Sequence, residues 1–156
     1  MKKRILAVLL VLWVAFIFSM SSQNSTTSKN TSGGTIRAVL SIVPQFENQP
    51  EEVQDEVVDN LQYIARKSAH FLGYMMLGIL VMSLLLQYDN LQHKALKSFI
   101  ICVLYAISDE IHQLFVPGRA GQVKDVMIDS SGAILGIFIV LIIYIMRREP
   151  WKTDNK

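Results

Sequence analysis

Four long apolar runs separated by polar stretches constrain this chain more than any other feature. They cover residues 5–20, 69–86, 96–115 and 126–146. A helix needs roughly 20 residues to cross a bilayer, with a range of about 17 to 25. The last three runs meet that length with some tilt, and the first is short for it. The chain is 51% hydrophobic over 156 residues, more than a soluble domain of this size needs. The expected fold is all-α: a single-domain integral membrane bundle of four transmembrane helices with a partly helical outer loop.

The first run has a second reading. Lys2, Lys3 and Arg4 precede it, and small residues follow Phe18, as in a signal peptide. Its length is at the upper end for an h-region, and Ser19-Met20-Ser21 is a weak cleavage signal. A retained anchor is the expectation.

Lys and Arg placement sets the orientation. With the N-terminus inside, the inner regions hold nine basic residues: Lys2, Lys3, Arg4, Lys94, Lys97, Arg147, Arg148, Lys152 and Lys156. The outer regions hold six: Lys29, Arg37, Arg66, Lys67, Arg119 and Lys124. Both termini are therefore expected in the cytoplasm, with outer loops 21–66 and 116–125 and a tail 147–156. Within the long loop, residues 21–35 read as a flexible polar linker. Residues 36–66 read as amphipathic helix. Ile36, Val39, Leu40 and Val43 are followed by a stripe of Val53, Val57, Leu61 and Ile64. Such a helix is expected on the outer membrane surface or docked on the bundle, or else as a solvated acidic helix leading into the second run.

Several function classes drop out. A net charge of +2 is too small to argue for nucleic acid. There is no dinucleotide or P-loop glycine pattern and no Cys/His zinc spacing, so no cofactor or metal is assigned. Cys102, the sole cysteine, sits in an apolar run and reads as a buried structural thiol.

Alternate crossing brings three polar stretches to one depth at the outer face. The start of the second run carries Arg66, Lys67, His70 and Tyr74. The end of the third carries Tyr105, Asp109, Glu110, His112 and Gln113. The start of the fourth carries Arg119, Lys124, Asp125 and Asp129. Spacings of three and four put Arg66, His70 and Tyr74 on one helical stripe, and Tyr105, Asp109 and either His112 or Gln113 on another. Asp125, Asp129, Gly132 and Gly136 form a third stripe, whose GxxxG lets a neighbouring helix approach.

Ionisable side chains inside a bilayer cost roughly 2.5–3.5 kcal/mol each at its centre, so the cluster needs a reason. One reason is a self-satisfied ion-pair network of Asp109, Glu110, Asp125 and Asp129 with Arg66, Lys67, Arg119 and Lys124. The other is a site. Arg66, Lys67, His70, Tyr74, Gln113, Arg119 and Asp125 would hold a polar head group. Asp109, Glu110, His112, His70 and Asp129 are the candidates for acid, base or metal ligand. Local readings stand beside these. Asp125 also suits a helix cap, Pro117-Gly118 suits a tight turn, and His93 reads as a solvated inner-loop residue.

The chain resembles the VanZ-like family of bacterial membrane proteins. The resemblance rests on Arg66-Lys67-Ser68-Ala69-His70-Phe71 with Tyr74 and Leu77-Gly78. It rests more on Tyr105-Ala106-Ile107-Ser108-Asp109-Glu110-Ile111-His112-Gln113, running into Phe115-Val116-Pro117-Gly118-Arg119. Gly121, Asp125-Val126, Asp129 and Gly132 continue it, and Ser21-Ser22-Gln23 also fits. The resemblance implies a cell-membrane protein in the context of antibiotic resistance. The family's namesake is an accessory of glycopeptide resistance associated with reduced susceptibility to teicoplanin, which acts on cell-wall precursors at the outer face. Three functions follow as expectations. One is a protein acting at the outer leaflet on a teicoplanin-type glycopeptide, a lipid or a lipid-linked wall precursor. The second is a membrane enzyme, metal-assisted or not, working on a lipid head group. The third is a structural membrane partner.

Overall fold

In a bilayer every backbone N–H and C=O must be paired within the chain, which favours helices wherever the sequence is apolar. The computed structural model describes residues 2–23, 25–88 and 93–148, and every regular element in them is helical. In chain order these are α1 Lys2–Ser21, α2 Ser25–Leu40, α3 Pro44–Glu47, α4 Glu51–Leu85, α5 Lys94–Gln113 and α6 Val123–Arg148. The middle of the loop after α4 and the tail beyond residue 148 lie outside the described residues.

The central pair is α4 with α6. A Cβ at Gly132 would strike the backbone of Phe71, and one at Gly136 the backbone of Met75. From the other side, a Cβ at Gly78 would strike the backbone of Ala133. The two helices therefore meet main chain to main chain, as small residues permit in a membrane. Tyr74, Leu77, Val81, Cys102, Ala106 and Ala133 close the core around this seam, with Ile17 from α1. Met82, Ile137 and Val140 extend it towards the other end.

Helix α5 lies against α4 and α6, and α1 covers α4 and α5. Two polar side chains pin α1 by donating to backbone carbonyls. Trp13 Nε1 donates to Gly73 O at 2.9 Å, and the Tyr105 hydroxyl to Val14 O at 2.8 Å. Most of the remaining α1 surface is exposed and apolar, including Val8, Val11, Leu12 and Phe16. A lipid environment suits that face.

The structure meets one expectation in part, corrects a second and decides a third. First, among the described residues three helices are long and apolar enough to cross a membrane: Lys2–Ser21, Glu51–Leu85 and Val123–Arg147. Helix α5 has 20 residues but carries Lys94, Lys97, Asp109 and Glu110, so composition alone does not make it a fourth. Second, the stretch expected as a linker forms most of α2. Serine-rich sequence is a poor helix former, but packing overrides propensity. Gly33 is buried where a Cβ would meet Gln62 and Val58 of α4, and Arg37 pairs with Asp55. Third, residues 51–66 take the second of the forms expected for them, a helix that leads straight into the second apolar run, rather than a separate surface helix. They are the first turns of α4, 35 residues long, or about 52 Å at 1.5 Å per residue. That exceeds a hydrocarbon core of roughly 30 Å, so about four turns stand off the membrane. Val58 and Gln62 are the buried residues on these turns, and the expected stripe of Val53, Val57, Leu61 and Ile64 stays exposed.

The turn after α5 matches its sequence. Gly118 has φ 73°, Pro117 precedes it, and Arg119 N donates to Val116 O at 3.0 Å, the pattern of a type II turn.

Candidate functional site

The glycine seam fixes where the α6 carboxylates fall. One turn before Gly132, Asp129 faces α4 and is fully buried. His70 Nδ1 lies 3.7 Å from Asp129 Oδ2, close enough for charge attraction but too long for a hydrogen bond. A turn further back, Asp125 pairs with Lys67, both mostly shielded from solvent.

Helix α5 supplies the third side. Asp109 is 3% exposed. The Ser21 hydroxyl at the end of α1 donates to its Oδ2 at 2.8 Å. Oδ1 of Asp109, both oxygens of Asp129 and the Tyr74 hydroxyl are buried with no hydrogen-bond partner. One donor atom each from His70, Asp109 and Asp129 lie within 4.8 Å of one another. Buried polar groups are nearly always paired, so three orphaned carboxylate oxygens at one spot call for an explanation.

Other candidates face elsewhere. Glu110 accepts from Gln113 Nε2 at 3.0 Å and from the Gln122 backbone N–H at 2.8 Å. Its carboxylate thus braces the loop between α5 and α6. His112 stacks on Phe18 with ring centroids 4.4 Å apart, and its Nε2 lies 3.1 Å from the Ser22 hydroxyl. It touches α1, outside the His70–Asp109–Asp129 group. Gln113 bridges the two acids, with Nε2 3.5 Å from Asp109 Oδ2.

Beside the cluster, α1 and α4 part to leave a cavity of about 280 Å³. Phe16, Ile17, Met20, Ala69 and Gly73 make its apolar body, and Arg66, His70, Tyr74 and Arg119 line it too. A smaller hollow of about 20 Å³ shares Arg66, His70 and Arg119, and reaches Asp129, Asp125 and Gln113. Arg119 Nε donates to Gln23 O at 3.1 Å. Burial and the nearby Arg66 guanidinium push Arg119 below its usual range. Two crowded guanidiniums would be relieved by an anion.

Ser21, Ser22 and Gln23 are the site residues that sequence reading missed. They entered it as part of a family pattern, without a role. The available signal was position: they leave the first apolar run at the depth where the other polar stretches meet. Gln62, in the cavity wall, carried no such signal.

The helices and the polar cluster at one end of them define a multi-pass α-helical membrane protein. The VanZ/LLP1 family profile matches residues 6–144, and the chain belongs to that family. No curated protein and no solved structure matches the chain.

Proposed function

We propose that this VanZ-like protein binds an amphiphile with an anionic head group at the outer leaflet of a bacterial membrane. The candidates are a lipid, a lipid-linked wall precursor and a teicoplanin-type glycopeptide, and binding contributes to antibiotic or envelope-stress tolerance. The cavity carries this reading. Its apolar body opens between α1 and α4 and also presents Arg66, His70 and Arg119, matching a ligand with an apolar chain and a charged head.

The reading takes α5 as a fourth crossing. Its acids Asp109 and Glu110 are buried in the bundle rather than set against lipid, and Lys94 and Lys97 lie at its other end. Four crossings would put both termini on one side, and the excess of basic residues there supports the cytoplasm as that side. Cysteines at positions 30 and 120, in a Cys102→Ala background, should then label from outside. Labelling of position 120 from inside only would remove the outer-leaflet assignment.

Binding is tested with the full chain in nanodiscs, using short-chain phosphatidic acid against phosphatidylcholine and following Trp13 fluorescence in a Trp151→Phe background. The anionic lipid should bind more tightly. Arg66→Gln and Arg119→Gln should each weaken it about tenfold, near the 1.4 kcal/mol of one charged hydrogen bond. Equal response to both lipids in all three proteins would sink the reading. A membrane enzyme acting on the same head group is the second reading. The unpartnered carboxylate oxygens, Oδ1 of Asp109 and both of Asp129, favour it, and turnover by the purified protein tests it.

A further inference from the structure

We propose that His70, Asp109 and Asp129 form a binding site for one divalent transition cation, of the Zn²⁺ or Mn²⁺ class. The site adjoins the cavity, but the inference does not depend on which amphiphile enters it. Three successive helices, α4, α5 and α6, each contribute one donor from positions up to 59 residues apart in sequence, all within 4.8 Å of one another.

Orphaned oxygens point to a ligand independently of that clustering. Asp129 is fully buried, and neither of its oxygens has a hydrogen-bond partner. Asp109 has one oxygen satisfied by Ser21 and the other bare. Local cations do not fill the gap. Lys67 is engaged by Asp125, Arg119 donates to the Gln23 carbonyl, and His70 stops 3.7 Å short of Asp129. Two buried carboxylates without a counter-charge are strongly unfavourable. A bound dication balances both.

The donor set matches the class of ion. Imidazole suits Zn²⁺ and other transition ions, carboxylate suits Mn²⁺ and harder ones, and no thiolate is present to select Cu(I) or an iron–sulfur cluster. A tetrahedral centre with bonds of roughly 2.0–2.2 Å holds its donors about 3.4 Å apart. The His70–Asp129 separation of 3.7 Å is near that value, and the widest pair closes by about 1 Å through carboxylate rotation. Ser21 fixes the Asp109 carboxylate by holding its other oxygen, as outer partners of metal ligands do. Three protein ligands leave a position free. His70 lines both hollows, so an incoming head-group oxygen is placed to take it.

The full chain is purified in detergent, stripped with chelator, exposed to Zn²⁺ or Mn²⁺, desalted and measured for metal by mass spectrometry. Wild type should hold about one ion per chain, and Asp129→Asn and His70→Gln below about a tenth of that, because loss of one ligand of three removes most affinity. His93→Gln, at the start of α5, should keep the wild-type content. Chelator should lower the Tm of wild type and leave Asp129→Asn unmoved, a readout independent of any activity. Helical circular dichroism and a monodisperse elution show that each variant is folded. Wild type that is folded yet takes up no metal, or Asp129→Asn that takes up as much as wild type, overturns the proposal. Neither result touches phosphatidic acid binding, so this inference and the functional reading fail separately.

Discussion

Between Gly132 and Gly136, α6 meets α4 through backbone, with Phe71 and Met75 where the glycines have no side chains. One and two turns earlier the same helices meet through charge, at Asp129 with His70 and Asp125 with Lys67. The glycine half has no freedom of register: a shift along either helix would drive side chains into backbone. That rigidity brings Asp129 to His70, although burying it there is unfavourable. Stability is concentrated in one half of the seam, and the other half carries the orphaned groups, as sites that bind something generally do.

The largest test of this contrast is a side chain in the glycine half. Gly136→Val should lower stability by about 3 kcal/mol or more, since overpacking against backbone cannot relax. Thermal unfolding in detergent reads it. Gly34→Ala on α2 is the control, because a Cβ there meets nothing within 4 Å, and its Tm should hold. A Gly136→Val protein as stable as wild type would mean that the seam does not fix the register.

In the charged half the effects are smaller and differ in sign. Lys67→Ala leaves Asp125 without its partner and should cost about 2 kcal/mol. The double change Lys67→Ala with Asp125→Ala should recover part of that in a double-mutant cycle. Asp129→Asn, measured in chelator, should raise stability by about 1 kcal/mol, because an amide is cheaper to bury than an unpaired carboxylate. A drop as large as that of Gly136→Val would make Asp129 part of a self-satisfied ion-pair network, and the contrast between the halves would disappear.

Much of this arrangement was legible in the sequence because helical spacing is rigid. The stripe of Asp125, Asp129, Gly132 and Gly136 does face one helix, and Arg66, His70 and Tyr74 do line one cavity. Spacing gives the angles between residues on a helix, about 100° from Asp109 to Glu110 and about 60° from Asp109 to His112, but not which partner each arc meets. His112 and Glu110 therefore ranked with Asp109, although His112 meets Phe18 and Glu110 braces the Gln122 loop. The amphipathic stripe misled for a related reason. Val53, Val57 and Leu61 look like a docking face, but Gly33 makes its close approach at Val58 and Gln62. Helix α2 was illegible because its residues are poor helix formers, and contact with α4 supplies what their propensity lacks.

The smallest effect concerns α1, which joins the charged half through one hydroxyl. Ser21 Oγ is the donor that leaves only one Asp109 oxygen bare. Ser21→Ala should cost about 1 kcal/mol, within the range for a hydrogen bond to a buried carboxylate, and Ser21→Thr should restore most of it. The comparison matters because residues 5–20 also read as a signal peptide. Cleavage after them would take away the Val14 carbonyl that accepts from Tyr105 and the Trp13 ring that donates to Gly73. The intact mass of the purified full-length chain should therefore include residues 1–20. With α1 retained, a Ser21→Ala protein with unchanged Tm would show that Asp109 is oriented by Gln113 alone, and that α1 covers the polar end without helping to hold it.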